Sequence, residues 1–496
     1  MVILLTLFSS IFLIFLIRRT RRIRARLPPG PSGLPLIGNL HQLSRSSPHS
    51  YLCHLSQQYG PLMFLRFGLK PAIVVSSAKI ARQVMKTHDL VFASRPSLLG
   101  QQKLSYNGLD VAFAPYSDYW REMKKLCVHH LFSSRRTHSF RPVREDEVVR
   151  MIRNLSLSAA SHKVINLSER LTFFTSTLIC RIAFGKRHDL EDQGRERSRF
   201  HGLLNEAEAL LVELYFSDYL PWLGWVDRLR GLLSRLDKTF KQLDMFYQQV
   251  INDHINATTP PADQQDIINI LLQIMDSQSS SFDLSLDHIK ALLMNIFIAG
   301  TDTSAATIVM AMTSLIKNPR VMKKVQDEIR KLYSEKEFIS EEDIERLPYL
   351  KAVVKETLRL FPPTPLLLPK ESMDRCSIEG YEIQPKTMVL VNAWAIGRDP
   401  ETWEEPEQFY PERFFNNCSV NFKGQDFELI PFGAGRRICP GMLMAVVTVE
   451  LTLANLLHCF DWELPAGIEE HDIDTEVTPG IAVNKKNDLF LVIKNP

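Results

Sequence analysis

Only seven cysteines occur among the 496 residues, an odd number with no Cys-x-x-Cys pair. That excludes a disulfide framework and the paired-thiolate zinc sites, and it points to a reducing compartment. Cys53, Cys127, Cys180, Cys376, Cys418 and Cys459 read as free thiols. No Gly-x-Gly-x-x-G segment follows a strand and opens a helix, so the chain carries no dinucleotide-binding unit of its own. Strong charge of one sign is missing too. The formal charge is +3, and six arginines sit between positions 18 and 26 without an acid; taking those six from the 59 basic residues leaves 53 against 56 acidic ones. Nucleic acid is therefore excluded as a partner.

What is present begins with an apolar run over 2–17, followed at once by Arg18, Arg19, Arg21, Arg22, Arg24 and Arg26. A cleaved leader would carry its charge before the run and small residues after it, and neither is found. Residues 1–17 are therefore expected to be a transmembrane anchor, 18–39 a basic stop-transfer segment and proline-rich hinge without helix or ladder, and 40–496 the catalytic domain. Sixteen residues reach about 24 Å, a little short of the roughly 27 Å core of the endoplasmic reticulum membrane, so the anchor should stand nearly upright. The arginines keep the catalytic domain cytosolic. Sequons at Asn154, Asn166, Asn256 and Asn417 should then stay unglycosylated.

The segment 431–441 sets Cys439 in a glycine-rich turn, with Phe432 ahead of it and an apolar run over 442–457 behind. Gly433, Gly435 and Gly441 let such a loop lie flat against something large. A helix N-terminus after the cysteine favours thiolate. One thiolate with no second cysteine or histidine nearby is a poor zinc site and a good single axial ligand.

Phe432, Gly435, Arg437, Cys439 and Gly441 resemble the haem-binding signature of cytochromes P450 at every fixed position. Three further motifs follow the same family's order: Ala299-Gly300-Thr301-Asp302-Thr303-Ser304, Glu356-x-x-Arg359, and Pro411-Glu412-Arg413-Phe414. The resemblance spans essentially the whole chain. It implies a mainly α fold with a small β-rich part, haem b (iron protoporphyrin IX) held through Cys439, and two electrons from NADPH delivered by a separate NADPH–cytochrome P450 reductase. It implies that Asp302 and Thr303 deliver protons, that Trp120, Lys124, Lys370 and Arg437 face the haem propionates, and that Glu356, Arg359 and Arg413 form a structural trio. Lys124 and Lys370 stand where arginine is commoner, and lysine cannot form a bidentate fork. Lys125, Arg135 and Arg136 are either a solvated basic face or a reductase-docking one.

A long apolar helix over 289–316 is expected to be the central helix of the body rather than a membrane span, because Asp302 at a bilayer centre would cost roughly 2.5–3.5 kcal/mol. Gly300 beside its hydroxyls is expected to open a groove in that helix. A hairpin is expected around 68–71, little helix over 95–113, and an interfacial loop over 210–225. Substrate contacts are expected from the segment 95–113 and from Ala299, Thr364, Leu366, Leu367 and Ile481.

The implied reaction is insertion of one atom of O2 into a small apolar molecule. Two alternatives stand beside it: a reductase-independent haem-thiolate isomerase or dehydratase, and a haem- or ligand-binding protein without turnover. The intact Asp302-Thr303 pair argues against both. Segments 108–132, 391–400 and 423–441 resemble plant microsomal members of specialised metabolism, including the subgroup that oxidises amino-acid-derived aldoximes. Members of that clan also oxidise terpenoids, phenylpropanoids and alkaloids.

Overall fold

The computed structural model describes residues 27–495 apart from 43–46, 160–162, 187–194, 259–260, 262–263, 278–281 and 416–418. The anchor expected over 1–17, the arginines up to Arg26 and the Asn417 sequon lie outside the described residues.

The helices that position the site are α1 (Pro48–Tyr59), α2 (Leu99–Leu104), α3 (Asp118–Leu126), α4 (Leu167–Phe184), α5 (Arg195–Val212), α6 (Leu232–Asn256), α7 (Leu286–Ile316), α8 (Pro348–Leu360) and α9 (Met442–Cys459). The strands are short: β1 (Leu62–Phe67), β2 (Lys70–Val75), β3 (Val164–Asn166), β4 (Lys370–Glu371), β5 (Cys376–Ile378), β6 (Tyr381–Ile383), β7 (Met388–Val391), β8 (Asp461–Glu463) and β9 (Phe490–Lys494). They form a four-stranded sheet in the order β1-β2-β7-β4, a three-stranded one in the order β3-β9-β8, and the pair β5-β6. The fold is thus mainly helical with small sheets.

The hairpin forms where the turn chemistry places it. Leu62 pairs with Val75 and Phe67 with Lys70, and Gly68 at φ +59° supplies the left-handed residue of the turn. β2 then runs parallel to β7 from Ala72↔Met388 to Val75↔Val391. Pro71 lies one residue before that ladder begins, so its missing N–H costs no bond to β7.

α7 is apolar nearly all round, as a helix enclosed by protein must be. Ser285 opens it with a capping box closed by the His288 side chain. By length and hydropathy both α7 and α9 could cross a membrane, but both are packed into the body, α7 against α4 and α9.

Two expectations need correction. The described part of the hinge is not free of ladder: Phe64 N donates to Pro29 O at 2.8 Å, Asn39 N to Arg66 O at 2.6 Å, and Gly38 bridges to Phe67. Gly30 permits this, since a Cβ there would stand 1.9 Å from Phe64 O. The stretch 95–113 also contains helix α2, whose Gly100 backbone lies so close to α5 that a Cβ would meet Leu210 O at 2.3 Å.

Candidate active site

A cavity of about 620 Å³ lies between the middle of α7 and the loop 431–441. Ala299, Gly300, Asp302, Thr303 and Ser304 line it from α7, and Phe432, Gly433, Ile438, Cys439 and Gly441 from the loop. Thr364, Leu367 and Ile481 close other sides. Leu366 does not line this cavity. It faces a second, smaller one of about 240 Å³, beside Phe67 and Leu390. Leu367, with a left-handed backbone at φ +51°, lies between the two cavities and lines both.

Around Cys439 the chain turns back on itself, with Cys439 N donating to Phe432 O at 3.0 Å. Burial pushes the thiol up, opposed by the backbone N–H groups of Gly441 and Met442 and by the charge of Lys124. The N-terminus of α9 therefore favours thiolate as expected, but desolvation is the larger influence. Gly441 has nothing within 4 Å of where a Cβ would sit, and Gly433 only Leu367 Cδ1 at 3.8 Å, so this face of the loop is open. Gly435 acts elsewhere. Its φ is +67°, and a Cβ would meet Met85 O at 2.3 Å, so it seats the back of the loop on the protein rather than facing the cavity.

Four cations gather on one side. Lys370 is 4% exposed, and its Nζ has no hydrogen-bond partner among the described residues. Burial, followed by repulsion from Arg95, holds its ammonium well below the ordinary lysine range, and Arg437 and Lys124 add to the repulsion. Lys124 Nζ donates to Ile438 O at 2.7 Å. Burial lowers it to about 8. Arg437 donates to Ala93 O at 2.7 Å and Ala114 O at 2.7 Å, and it stacks 3.8 Å over the Trp120 ring. The Trp120 indole N–H is already engaged by Val111 O at 3.0 Å. Trp120 thus supports Arg437 and braces the 108–114 loop with its single donor.

Arg95 was missed as a cation of this group, having been read only as part of the substrate wall. It is 7% exposed and donates to Ala112 O, Leu368 O and Pro369 O. An arginine set directly before Pro96 in an apolar context was the available signal. Asn295 was missed as well. Its Oδ1 accepts from Val111 N and Ala112 N, and its Nδ2 donates to Asp110 Oδ2 at 2.9 Å. Asp110 is fully buried, and burial raises its carboxyl to about 6 despite these donors. Together they bolt the 108–114 wall to α7.

α7 runs as one helix through Gly300. A Cβ at Gly300 would lie 2.6 Å from Ile179 Cδ1; the glycine lets α4 pack close. Thr303 Oγ1 donates to Ala299 O at 2.6 Å, and Asp302 Oδ2 accepts from Asn484 Nδ2 at 3.3 Å.

The buried trio is complete. Arg359 forks onto Glu356 with both contacts at 2.8 Å, Arg413 Nε reaches Glu356 Oε1 at 3.1 Å, and Tyr410 N donates to the same oxygen at 2.8 Å. The remaining Arg359 donors reach Gly397 O, Pro406 O and Gln408 O. A charge pair this dry persists only when its lone pairs and protons are satisfied, as here.

These residues fit a haem. An unpartnered buried ammonium among Arg95, Lys124 and Arg437 is a donor set for two porphyrin carboxylates, and the open glycine face leaves room for a flat ring beside a single sulfur. A family model described as Cytochrome P450 matches residues 28–492. The chain is 49% identical to a 6,7,8-trihydroxycoumarin synthase of Pastinaca sativa, over 97% of this chain and 96% of that one. It is 50% identical to a 5-OH-xanthotoxin synthase of Ammi majus, over 94% and 92%. A zebra fish cytochrome P450 solved with progesterone superimposes with a TM-score of 0.77 at 25% identity, covering 90% of this chain and 99% of the other. The chain therefore belongs to the cytochrome P450 family, as a haem monooxygenase of plant specialised metabolism.

Proposed function

We propose that this enzyme inserts one oxygen atom into a planar, phenylpropanoid-derived aromatic of the coumarin class. The names of its relatives from Pastinaca sativa and Ammi majus support that class over terpenoids, aldoximes and alkaloids. The observation that carries the reading is one cavity with Cys439 in its glycine turn on one wall and the acid–alcohol pair Asp302-Thr303 on the other.

Cys439 would hold the haem through its sulfur, and Arg95, Lys124, Lys370 and Arg437 would hold its carboxylates. When bound, the haem supplies O2 activation, with the sulfur favouring O–O cleavage. Asp302, held by Asn484 Nδ2, relays protons from solvent. Thr303 holds a hydroxyl at the cavity wall; its bond to Ala299 O fixes the rotor, and a turn of that rotor lets it donate inward. Phe113, Leu292, Ile296 and Leu367 exclude water around the substrate. Electrons come from NADPH through a separate reductase at the endoplasmic reticulum membrane. Residues 1–17 anchor the chain there, 18–39 lead to the body, and 40–496 form the catalytic domain. Exposed Trp222 and Trp225, with 48% and 60% of their surface accessible, suit an interfacial contact.

The test uses microsomes carrying this protein and a plant reductase, offered coumarins, furanocoumarins, aldoximes and terpenoids with and without NADPH. The expected result is an NADPH-dependent gain of one oxygen on a coumarin, abolished in Cys439→Ala and uncoupled in Thr303→Ala. Turnover without NADPH would overturn the monooxygenase mechanism, and oxidation confined to another class would overturn the substrate.

A further inference from the structure

The loop 110–114 is held along two edges, and the two edges answer to different parts of the site. Its N–H groups are gathered by one pair of side chains. Val111 N and Ala112 N donate to Asn295 Oδ1 at 3.2 and 3.1 Å, and Phe113 N and Ala114 N donate to Asp110 Oδ1 at 3.0 and 2.8 Å. Its carbonyls are taken by the residues of the cation cluster. Val111 O accepts from Trp120 Nε1 at 3.0 Å and Arg437 Nη1 at 3.3 Å, Ala112 O from Arg95 Nε at 2.9 Å, and Ala114 O from Arg437 Nη2 at 2.7 Å.

A peptide group is planar, with N–H and C=O on opposite edges. The plane joining Val111 to Ala112 therefore has Asn295 on one edge and Trp120 and Arg437 on the other. The next plane, joining Ala112 to Phe113, has Asp110 on one edge and Arg95 on the other. Asn295 Nδ2 ties the two together by donating to Asp110 Oδ2 at 2.9 Å. That bond also fixes which way the amide points, because a flipped amide would set its NH2 against two N–H donors and its oxygen against a carboxylate. Leucine at 295 would exclude water equally well, but it would leave two N–H groups and an Asp110 oxygen unanswered.

The same loop is also a wall of the cavity. Val111, Ala112 and Phe113 line it, facing Asn295, Ala299 and Thr303 of α7. Positions 295, 299 and 303 recur every four residues and so share nearly one side of the helix, and eight residues set Asn295 about 12 Å from Thr303 along its axis. α7 thus holds the wall at a fixed distance from the hydroxyl of the proton path. We propose that Asn295 is a specificity-determining positioning residue: through two peptide planes it sets which carbon of the substrate stands beside Thr303, and with the same planes it aims Arg95 and Arg437.

This assignment rests on the reading of the chain as a monooxygenase of coumarin-class aromatics, and the measurements separate the two. Microsomal holoenzyme with a plant reductase and NADPH is given coumarin, and the ratio of its regioisomeric monohydroxylated products is measured in the wild type, Asn295→Ala and Asp110→Asn, per amount of protein giving the thiolate–CO spectrum. Haem transfer to excess apomyoglobin is followed in parallel, without substrate. Asn295→Ala should change the product ratio about two- to tenfold and speed haem release by a similar factor, the range that one net hydrogen bond represents. Asp110→Asn keeps an acceptor for Phe113 N and Ala114 N but sets an NH2 against Asn295 Nδ2, so it should move the ratio in the same direction by less. A residue with only a structural role would lower the yield of folded enzyme and leave the ratio as it was, so an unchanged ratio in both variants overturns the assignment. Should Asn295→Ala fail to take up haem, the near-isosteric Asp110→Asn decides by the same criterion. A changed ratio with wild-type haem release would overturn the link to Arg95 and Arg437. If the wild type leaves coumarin untouched, it is the substrate reading that is wrong; the ratio is then taken on whichever of the furanocoumarins, aldoximes or terpenoids is oxidised, and haem release needs no substrate.

Discussion

Replacing Lys370 by methionine should make the protein lose haem faster while stabilising its haem-free form. The side chain is buried on β4, its Nζ has no partner among the described residues, and Arg95, Arg437 and Lys124 all repel it. An unpaired ammonium in such a place costs several kcal/mol. Methionine of similar length removes that cost, so haem-free protein should melt at a higher temperature. A hydrogen bond to a charged group in a buried site contributes about 1.5–3 kcal/mol. At 1.4 kcal/mol per tenfold, its loss corresponds to roughly 10- to 150-fold faster release of the prosthetic group. The assay is transfer of haem from the holoprotein to excess apomyoglobin, followed in the Soret region, with Lys370→Arg as the charge-retaining control. Unchanged release in Lys370→Met would refute the assignment. Faster release together with a lower haem-free melting point would refute it too, since that pattern reports general damage to the fold.

Glu356→Gln leaves Arg359 and Arg413 without a counter-charge in a dry pocket and should cost about 3–5 kcal/mol, read as loss of protein giving the thiolate–CO spectrum after expression. Gly300→Ala forces a methyl to within 2.6 Å of Ile179 Cδ1 and should destabilise by about 1–3 kcal/mol in urea unfolding, with Ile179→Val in the same chain restoring most of it. Burial works against a charged His254, but hydrogen bonds to Asp266, Val250 O and Phe184 O outweigh it and raise its pKa above 6.5. Stability from a raised base is fully present below that value and lost as pH rises through the folded one, so His254→Gln should flatten the decline in melting temperature above pH 6.5.

The parts of this enzyme that were legible from residues alone are those where chemistry and spacing coincide along the chain. Cys439 in its glycine turn, Asp302-Thr303 on a long apolar helix, and Glu356 three residues from Arg359 are local patterns, and local patterns survive folding. The partners that complete them come from distant segments. Nothing near position 95 says that Arg95 will meet Lys370, and nothing near 295 says that Asn295 will clamp the backbone at 111 and 112. Two glycines show the same limit from the other side. Gly300 is expected to open a groove in α7, and Gly435 to let its loop lie flat against something large. The approach is real, but what approaches is Ile179 in one case and Met85 in the other.

Glu208 illustrates why periodicity finds faces more readily than exceptions. In α5 the acids Glu206 and Glu208 look alike in the sequence, and an amphipathic reading assigns both to solvent. The helix turns them apart, so one pairs with Arg235 outside and the other enters the cavity. A buried carboxyl costs several kcal/mol when charged, and burial accordingly holds the Glu208 carboxyl well above the ordinary carboxylate range. Leucine at 208 would pack there without that cost, so Glu208→Leu should raise the melting temperature of the enzyme, and an unchanged or lower one would show that no desolvation cost is carried at this position.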